Sequence, residues 1–203
     1  SDGRQDIDMN LPNLLSLIRI ILTPLFIILL FSNVPNAKFF ALLVFAIAAI
    51  TDAYDGYLAR KYNQITPEGK FLDPLADKIL VLSAFISFAF IGIIDFWMVG
   101  VIIFRDSFIT GLRWIISNRG FEFVTTNISK YKTALQLTLI ILTLIFLTFE
   151  GLSIVELTPT LNLIRHYNII YILTLLTAIF TAYTGVVYLY TNRIIIKEFM
   201  KNS

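Results

Sequence analysis

The chain has 203 residues, of which 57% are hydrophobic and 15% are charged, and its formal net charge is +2. A soluble domain carries about 25% charged residues, and a soluble chain of this length could not bury so much apolar surface. The composition therefore predicts an integral membrane protein and excludes disordered, collagenous and nucleic-acid-binding chains. The absence of cysteine excludes a disulfide framework, a thiolate metal site and a cysteine nucleophile.

Residues 1–8 are polar and precede Met9, and we expect them to be the remnant of an expression tag. Residues 9–203 are predicted to form a single all-α domain with six transmembrane helices. Six apolar segments support this, because each approaches the roughly 20 residues that a bilayer core requires. In chain order they lie at about 14–32, 37–60, 70–94, 96–117, 133–149 and 168–190.

The positions of lysine and arginine predict the orientation, because cytoplasmic loops carry the excess of both residues. With a cytoplasmic N-terminus, two loop cations lie outside, at Lys38 and Arg165. The other loop and tail cations then lie inside: Arg4, Arg60, Lys61, Lys70, Arg113, Arg119, Lys130, Lys132, Arg193, Lys197 and Lys201. We therefore expect a multi-pass protein of the cytoplasmic membrane with both termini in the cytoplasm.

Four aspartates at or near membrane depth mark the most informative stretch of the sequence, Asp52, Asp55, Asp73 and Asp77. A charge at a span centre costs about 2.5–3.5 kcal/mol on insertion scales, so these carboxylates need compensation. Spacings of three residues in the first pair and four in the second place each pair on one helix face. Hard oxygen ligands without histidine or cysteine favour two Mg²⁺ or Mn²⁺ ions, which could clamp a phosphoryl group.

The alternative for these aspartates is a salt-bridge network with nearby cations, namely Arg60, Lys70 and Lys78. Gly56 and Gly69 would let a phosphate or a flat ring approach the backbone, although close helix packing explains membrane glycines equally well. Arg60 follows Gly56 by one helical turn, and we expect it to meet a phosphate oxygen.

Together these residues form the pattern Asp52-x2-Asp55-Gly56-x2-Ala59-Arg60-x8-Gly69-x3-Asp73-x3-Asp77. The pattern resembles the complete signature of the CDP-alcohol phosphatidyltransferase family. The resemblance implies that an alcohol displaces CMP from a CDP-linked lipid, here CDP-diacylglycerol, and that the enzyme is a homodimer. It also implies two divalent cations on Asp52, Asp55, Asp73 and Asp77, with Asp77 as the catalytic base. Gly56, Arg60, Gly69 and Asp52 would bind CDP-diacylglycerol.

The flanking segments resemble the phosphatidylglycerophosphate synthase branch of this family, whose acceptor is glycerol 3-phosphate. The similar segments are residues 9–13, 69–78, 105–113 and 129–133. This sequence departs from the branch at two positions, since Asp106 replaces a glutamate and Ser129 a glycine.

A phosphorylated acceptor also suits the cations of the fourth and fifth segments, because an arginine inside a span is costly unless an anion meets it. We expect the phosphate to be bound by Arg105, Arg113, Lys130 and Lys132. Arg113 could instead hold Asp106 in place. The lysines could also serve only the membrane topology or bind anionic lipid.

Alternative functions keep the chemistry and change the acceptor to inositol phosphate, serine or phosphatidylglycerol. A cation transporter is the alternative from another class, but its carboxylates should be spread along a path rather than gathered beside Arg60. Two features stay open. Arg19 could pair with an intramembrane carboxylate or extend to the interface, and the cations of residues 193–201 suggest a tail at the lipid surface.

Overall fold

The computed structural model describes residues 11–62, 67–117, 119, 127–152 and 154–201. Side chains are described for residues 18–51, 78–116, 119, 128, 130–152, 154 and 156–199. Within these ranges all regular structure is helical. The helices are α1 (Leu11–Phe31), α2 (Ala37–Tyr62), α3 (Pro67–Ile91), α4 (Phe96–Ser117), α5 (Asn127–Leu152), α6 (Thr158–His166), α7 (Ile169–Thr191) and α8 (Arg193–Lys201). A short 3₁₀ turn, Val155–Leu157, precedes α6.

The all-α prediction is confirmed for the part of the chain that the structure describes. Two stretches there are long and apolar enough to cross a bilayer, Lys130–Leu152 within α5 and Ile169–Thr191, which is α7. Ile18–Phe31, Ala37–Thr51 and Lys78–Ile91 are shorter apolar stretches. These helices indicate a membrane protein, while the count of six spans and the cytoplasmic termini stay predictions. Helices α6 and α8 were not among the predicted segments.

Contacts divide the chain into two units. The first comprises Ser1–Ala84 and Leu144–Ile154, and the second comprises Phe85–Thr143 and Val155–Ser203. In the first unit α1 packs on α2, with the rings of Phe26 and Phe45 5.4 Å apart between their centroids. Asn36 reverses the chain between these helices with a φ of 63°, a left-handed conformation that asparagine tolerates. Arg19 is fully buried in this unit, so its guanidinium does not extend to the interface.

In the second unit α4 packs on α7, and α7 has two different faces. Its buried face is small and polar, with Ile170, Thr174, Thr177, Ala178, Thr181, Thr184, Gly185 and Tyr188. Its exposed face is apolar and aromatic, with Ile172, Leu176, Ile179, Tyr183, Val186 and Tyr190. Small residues let helix backbones approach closely in a membrane, and an exposed apolar row suits lipid rather than water.

The first turns of α4 and α7 are joined through one carboxylate. Asp95 accepts a hydrogen bond of 3.1 Å from the indole nitrogen of Trp97 and one of 2.7 Å from the Tyr171 hydroxyl. Tyr171 lies one turn into α7, so this contact pairs the beginnings of α4 and α7. Further along the same two helices, Gly185 of α7 lies beside Arg105 of α4.

Candidate functional site

The signature residues lie on two helices of the first unit. Asp52, Asp55, Gly56 and Arg60 lie in α2, and Gly69, Asp73 and Asp77 lie in α3. Both segments are helical, so Asp52 and Asp55 share one face of α2, and Asp73 and Asp77 share one face of α3. The side chains at these positions lie outside the described residues. The metal ligands, the nucleotide-binding residues and the base therefore stay predictions.

A buried cluster of three charged side chains lies in the second unit, formed by Arg105, Asp106 and Lys132. The Lys132 ammonium donates to both carboxylate oxygens of Asp106, at 2.6 and 2.7 Å. One terminal nitrogen of Arg105 donates to the same carboxylate at 3.0 Å. The three side chains are between 7% and 11% exposed. The cluster joins α4 to α5 across 26 positions of sequence.

The charges of the three side chains sum to plus one. The Nε and the second terminal nitrogen of Arg105 are both buried, and neither has a hydrogen-bond partner within the described part of the chain. A buried donor without an acceptor costs about 1–3 kcal/mol, and more when it is charged. Two nitrogens of Arg105 are therefore available to donate hydrogen bonds to an anion.

Gly185 on α7 makes room for the Arg105 side chain. A Cβ added at this glycine would lie 3.0 Å from Cγ and 3.6 Å from Nε of Arg105. Contacts of 3.0 Å between carbon atoms are tighter than van der Waals packing prefers. Even alanine would thus require the Arg105 side chain to shift by a few tenths of an ångström. Nothing in the sequence pattern had singled out Gly185, because only the packing of α7 on α4 brings it to Arg105.

Arg113 lies outside the hydrogen bonds of the cluster. Its Nε donates to the Tyr188 hydroxyl of α7 at 3.3 Å, and its guanidinium lies 5.5 Å from the centre of that ring. Lys132 and Arg105, rather than Arg113, hold Asp106 in place. Of the four predicted phosphate-binding residues, the structure thus brings together Arg105 and Lys132. Lys130 is exposed on α5.

A neutral polar pair lies one helical turn away from the cluster, between α5 and α7. The amide nitrogen of Gln136 donates to the Thr181 hydroxyl at 3.4 Å, and both residues are buried. Gln136 follows Lys132 by four residues on α5, and Thr181 precedes Gly185 by four on α7. The polar lining beside the cluster therefore continues along α5 and α7. An isolated amide within the apolar fifth segment was the sequence signal that could have identified Gln136.

Comparison with known proteins gives a consistent family. The model of the CDP-alcohol phosphatidyltransferase family matches residues 9–183. A Bacillus subtilis protein named CDP-diacylglycerol–glycerol-3-phosphate 3-phosphatidyltransferase is 40% identical over 140 residues, covering 63% of this chain and 72% of the relative. A Rickettsia bellii protein of the same name is 35% identical over 170 residues, covering 80% and 94%. A Mycobacterium tuberculosis protein named probable phosphatidylglycerophosphate synthase is 40% identical over 114 residues, covering 55% and 54%.

Proposed function

Because the chain belongs to the CDP-alcohol phosphatidyltransferase family, we propose that it transfers the phosphatidyl group of CDP-diacylglycerol to glycerol 3-phosphate. The products are phosphatidylglycerol phosphate and CMP. The names of the relatives in Bacillus subtilis and Rickettsia bellii state this donor and this acceptor. Their alignments with this chain cover most of each relative. The family match and the names of the relatives support the whole reaction. The buried cluster of Arg105, Asp106 and Lys132 supports the choice of acceptor as well.

The observation that carries the acceptor assignment is the pair of unused N–H groups on Arg105. Two adjacent donors on a planar guanidinium match two oxygens of a phosphate, and such a bidentate pair is stronger than a single neutral hydrogen bond. The ammonium of Lys132 adds positive charge beside it. Serine and phosphatidylglycerol carry no phosphate monoester, so neither would use this dianion site as fully. Inositol phosphate would, and the names of the relatives favour glycerol 3-phosphate over it.

The donor side of the reaction rests on the signature aspartates. Asp52, Asp55, Asp73 and Asp77 supply carboxylate oxygens alone, the ligand chemistry that suits Mg²⁺ and Mn²⁺. Two such ions, when bound, would neutralise the pyrophosphate charge as CMP leaves. Gly56, Arg60 and Gly69 are assigned to the nucleotide end of the donor.

The reaction is a single displacement. The sn-1 hydroxyl oxygen of glycerol 3-phosphate forms a bond to the phosphorus that carries the diacylglycerol. The bond from that phosphorus to the oxygen of CMP breaks, and CMP departs with the electron pair. Asp77 accepts the proton of the attacking hydroxyl as a general base. Arg105 and Lys132 hold the acceptor phosphate, which restricts the orientation of the acceptor.

The proposal includes the membrane placement that the sequence predicted. The enzyme has six spans in the cytoplasmic membrane, its active site faces the cytoplasm, and two copies form a homodimer by family resemblance. Cytoplasmic placement puts the site where a nucleotide-activated lipid and a soluble phosphorylated acceptor are both accessible.

The test is release of CMP from CDP-diacylglycerol by the purified protein in mixed micelles. Glycerol 3-phosphate, inositol phosphate, serine and phosphatidylglycerol are supplied singly, each with Mg²⁺, with Mn²⁺ or with EDTA. We expect metal-dependent release with glycerol 3-phosphate to be at least about tenfold faster than with serine or phosphatidylglycerol, because these two acceptors would leave the buried donors of Arg105 unpaired. We expect inositol phosphate to be the slower of the two phosphorylated acceptors, as the names of the relatives indicate. Equal rates with serine and glycerol 3-phosphate would refute the acceptor assignment. Release without any acceptor would indicate hydrolysis instead.

A further inference from the structure

The exposed face of α7 continues beyond the end of the helix into α8. Its apolar row has spacings of three and four residues up to Tyr190, and the next exposed apolar residue is Ile194, four positions later. Asn192 separates the two helices, and its backbone and side-chain nitrogens both donate to the Tyr188 carbonyl. The row that would face lipid along the span therefore extends past the span into the first turn of α8.

Cations appear at the point where this row leaves the apolar stretch. Arg193 and Lys197 are both exposed on α8 and lie one turn apart, before and after Ile194 in the sequence. No ion pair to either cation is found among the described side chains. Glu198 is an exposed anion beside Lys197, so the two cations are in excess over it. Their position beside a span end is where anionic phospholipid headgroups are found.

Arg193 is held in one orientation by Tyr190. Its guanidinium lies 4.1 Å from the centre of the tyrosine ring, a cation–π contact, and one terminal nitrogen donates to the Tyr190 carbonyl at 3.4 Å. Stacking uses the face of the guanidinium and leaves most of its N–H edge open to an oxygen acceptor. Tyrosine is itself typical of the headgroup level of a membrane. Because Tyr190 already restricts the Arg193 side chain, less of its conformational entropy is lost when a phosphate binds to it.

The opposite face of α8 rests on the protein. Ile195, Ile196 and Phe199 are half-buried, and the guanidinium of Arg119 lies 5.4 Å from the centre of the Phe199 ring. Because that face is partly covered, the side of α8 left for the surroundings is the one with Arg193, Ile194 and Lys197. That side is continuous with the lipid-facing row of α7, so its occupant is the bilayer rather than a soluble protein.

We propose that Tyr190, Arg193, Ile194 and Lys197 form a binding site for the anionic headgroups of membrane phospholipids. Arg193 and Lys197 bind phosphodiester oxygens, while Ile194 and Tyr190 contact the upper part of the acyl chains. The site lies on α7 and α8 and uses none of the residues assigned to the reaction. It therefore goes beyond the proposed function and is tested by lipid binding alone.

The chain contains no cysteine, so one introduced cysteine carries one label. The full-length Ile194→Cys protein, labelled with a fluorophore, is reconstituted in phosphatidylcholine nanodiscs. About a tenth of the lipid is then replaced by brominated phosphatidylglycerol or by brominated phosphatidylcholine, and quenching is compared. Thr191→Cys, at a second exposed position, is an independent reporter. We expect a brominated anionic lipid to quench at least about threefold more, because each nearby cation enriches anionic lipid about fivefold.

Arg193→Gln with Lys197→Gln should bring that quenching ratio down toward one for both reporters. The control, Lys38→Gln with Arg165→Gln, removes the same two charges far along the chain and should leave the ratio unchanged. About 0.5 M salt should lower the ratio of the unsubstituted labelled protein, since exposed charges are then screened within a few ångströms. Equal quenching by both lipids at low salt, or a high ratio that survives loss of Arg193 and Lys197, would overturn the proposal. Absence of quenching by either lipid, as expected if a second copy of the chain covered α8, would also overturn the proposal.

Discussion

Replacing Arg105 by alanine removes two buried nitrogen donors that have no hydrogen-bond partner within the described part of the chain. The number of these donors gives the size of the expected loss in transition-state binding. Hydrogen bonds to charged groups contribute about 1.5–3 kcal/mol each. Two such bonds, less the cost of rearranging the site, give an expected loss of about 2–5 kcal/mol in transition-state binding. That range corresponds to a fall of about 30- to 5,000-fold in kcat/KM for glycerol 3-phosphate.

Arg105→Ala should weaken the use of glycerol 3-phosphate and leave the binding of CDP-diacylglycerol nearly unchanged. Asp106 keeps its two contacts with Lys132 when Arg105 is lost, so the remaining pair stays compensated. We therefore expect binding of CDP-diacylglycerol by Arg105→Ala to change less than about twofold, which also reports that the protein is folded. Arg105→Lys keeps the charge but not the planar fork, and its loss should be intermediate.

The assay is initial-rate kinetics in glycerol 3-phosphate at saturating CDP-diacylglycerol, paired with equilibrium binding of the nucleotide lipid. Lys130→Ala is the matched comparison. This lysine is exposed two residues before Lys132 on α5, so its loss should lower kcat/KM less than about tenfold, through weaker, screened electrostatics. If Arg105→Ala leaves both KM and kcat for glycerol 3-phosphate unchanged, the phosphate binds elsewhere and the reasoning from the buried donors is refuted.

Three further predictions concern the rest of the site. Gly185→Ala should raise the KM for glycerol 3-phosphate by about threefold or more, because the added carbon requires the Arg105 side chain to shift by a few tenths of an ångström; Gly100→Ala, which meets no atom within 4 Å, is the control and should be neutral. Asp77→Asn should lower kcat by about 10²–10⁴-fold while CDP-diacylglycerol still binds, and a rate within about threefold of the unsubstituted enzyme would show that Asp77 is not the base. Asp52→Asn should lose most activity and regain part of it in excess Mn²⁺, whereas full activity of the unsubstituted enzyme in EDTA would contradict the two-metal proposal.

The sequence by itself determined the class of protein and the family. An apolar composition with scarce charge indicates lipid around much of the chain, because soluble proteins rarely expose large contiguous apolar patches to water. The eight signature positions from Asp52 to Asp77 need no folded structure to be recognised, since they are close in sequence on two helices. The family prediction is confirmed by the match over residues 9–183. The sequence also predicted that Arg105 needs a compensating anion, because a charge in an apolar segment is costly wherever the neighbouring helices lie.

Only the tertiary structure decided which other groups surround Arg105 and Asp106. Lys132 follows Asp106 by 26 positions, and Gly185 is 80 positions from Arg105, so their contacts depend on how α4, α5 and α7 pack. Sequence spacing could not separate Lys132, which is buried against Asp106, from Lys130, which is exposed two residues earlier. In a helix two residues apart are about 200° apart around the axis, so one faces the protein and the other its surroundings. The choice of the facing lysine is made by helix packing, because periodicity places residues on faces without saying which face meets another helix.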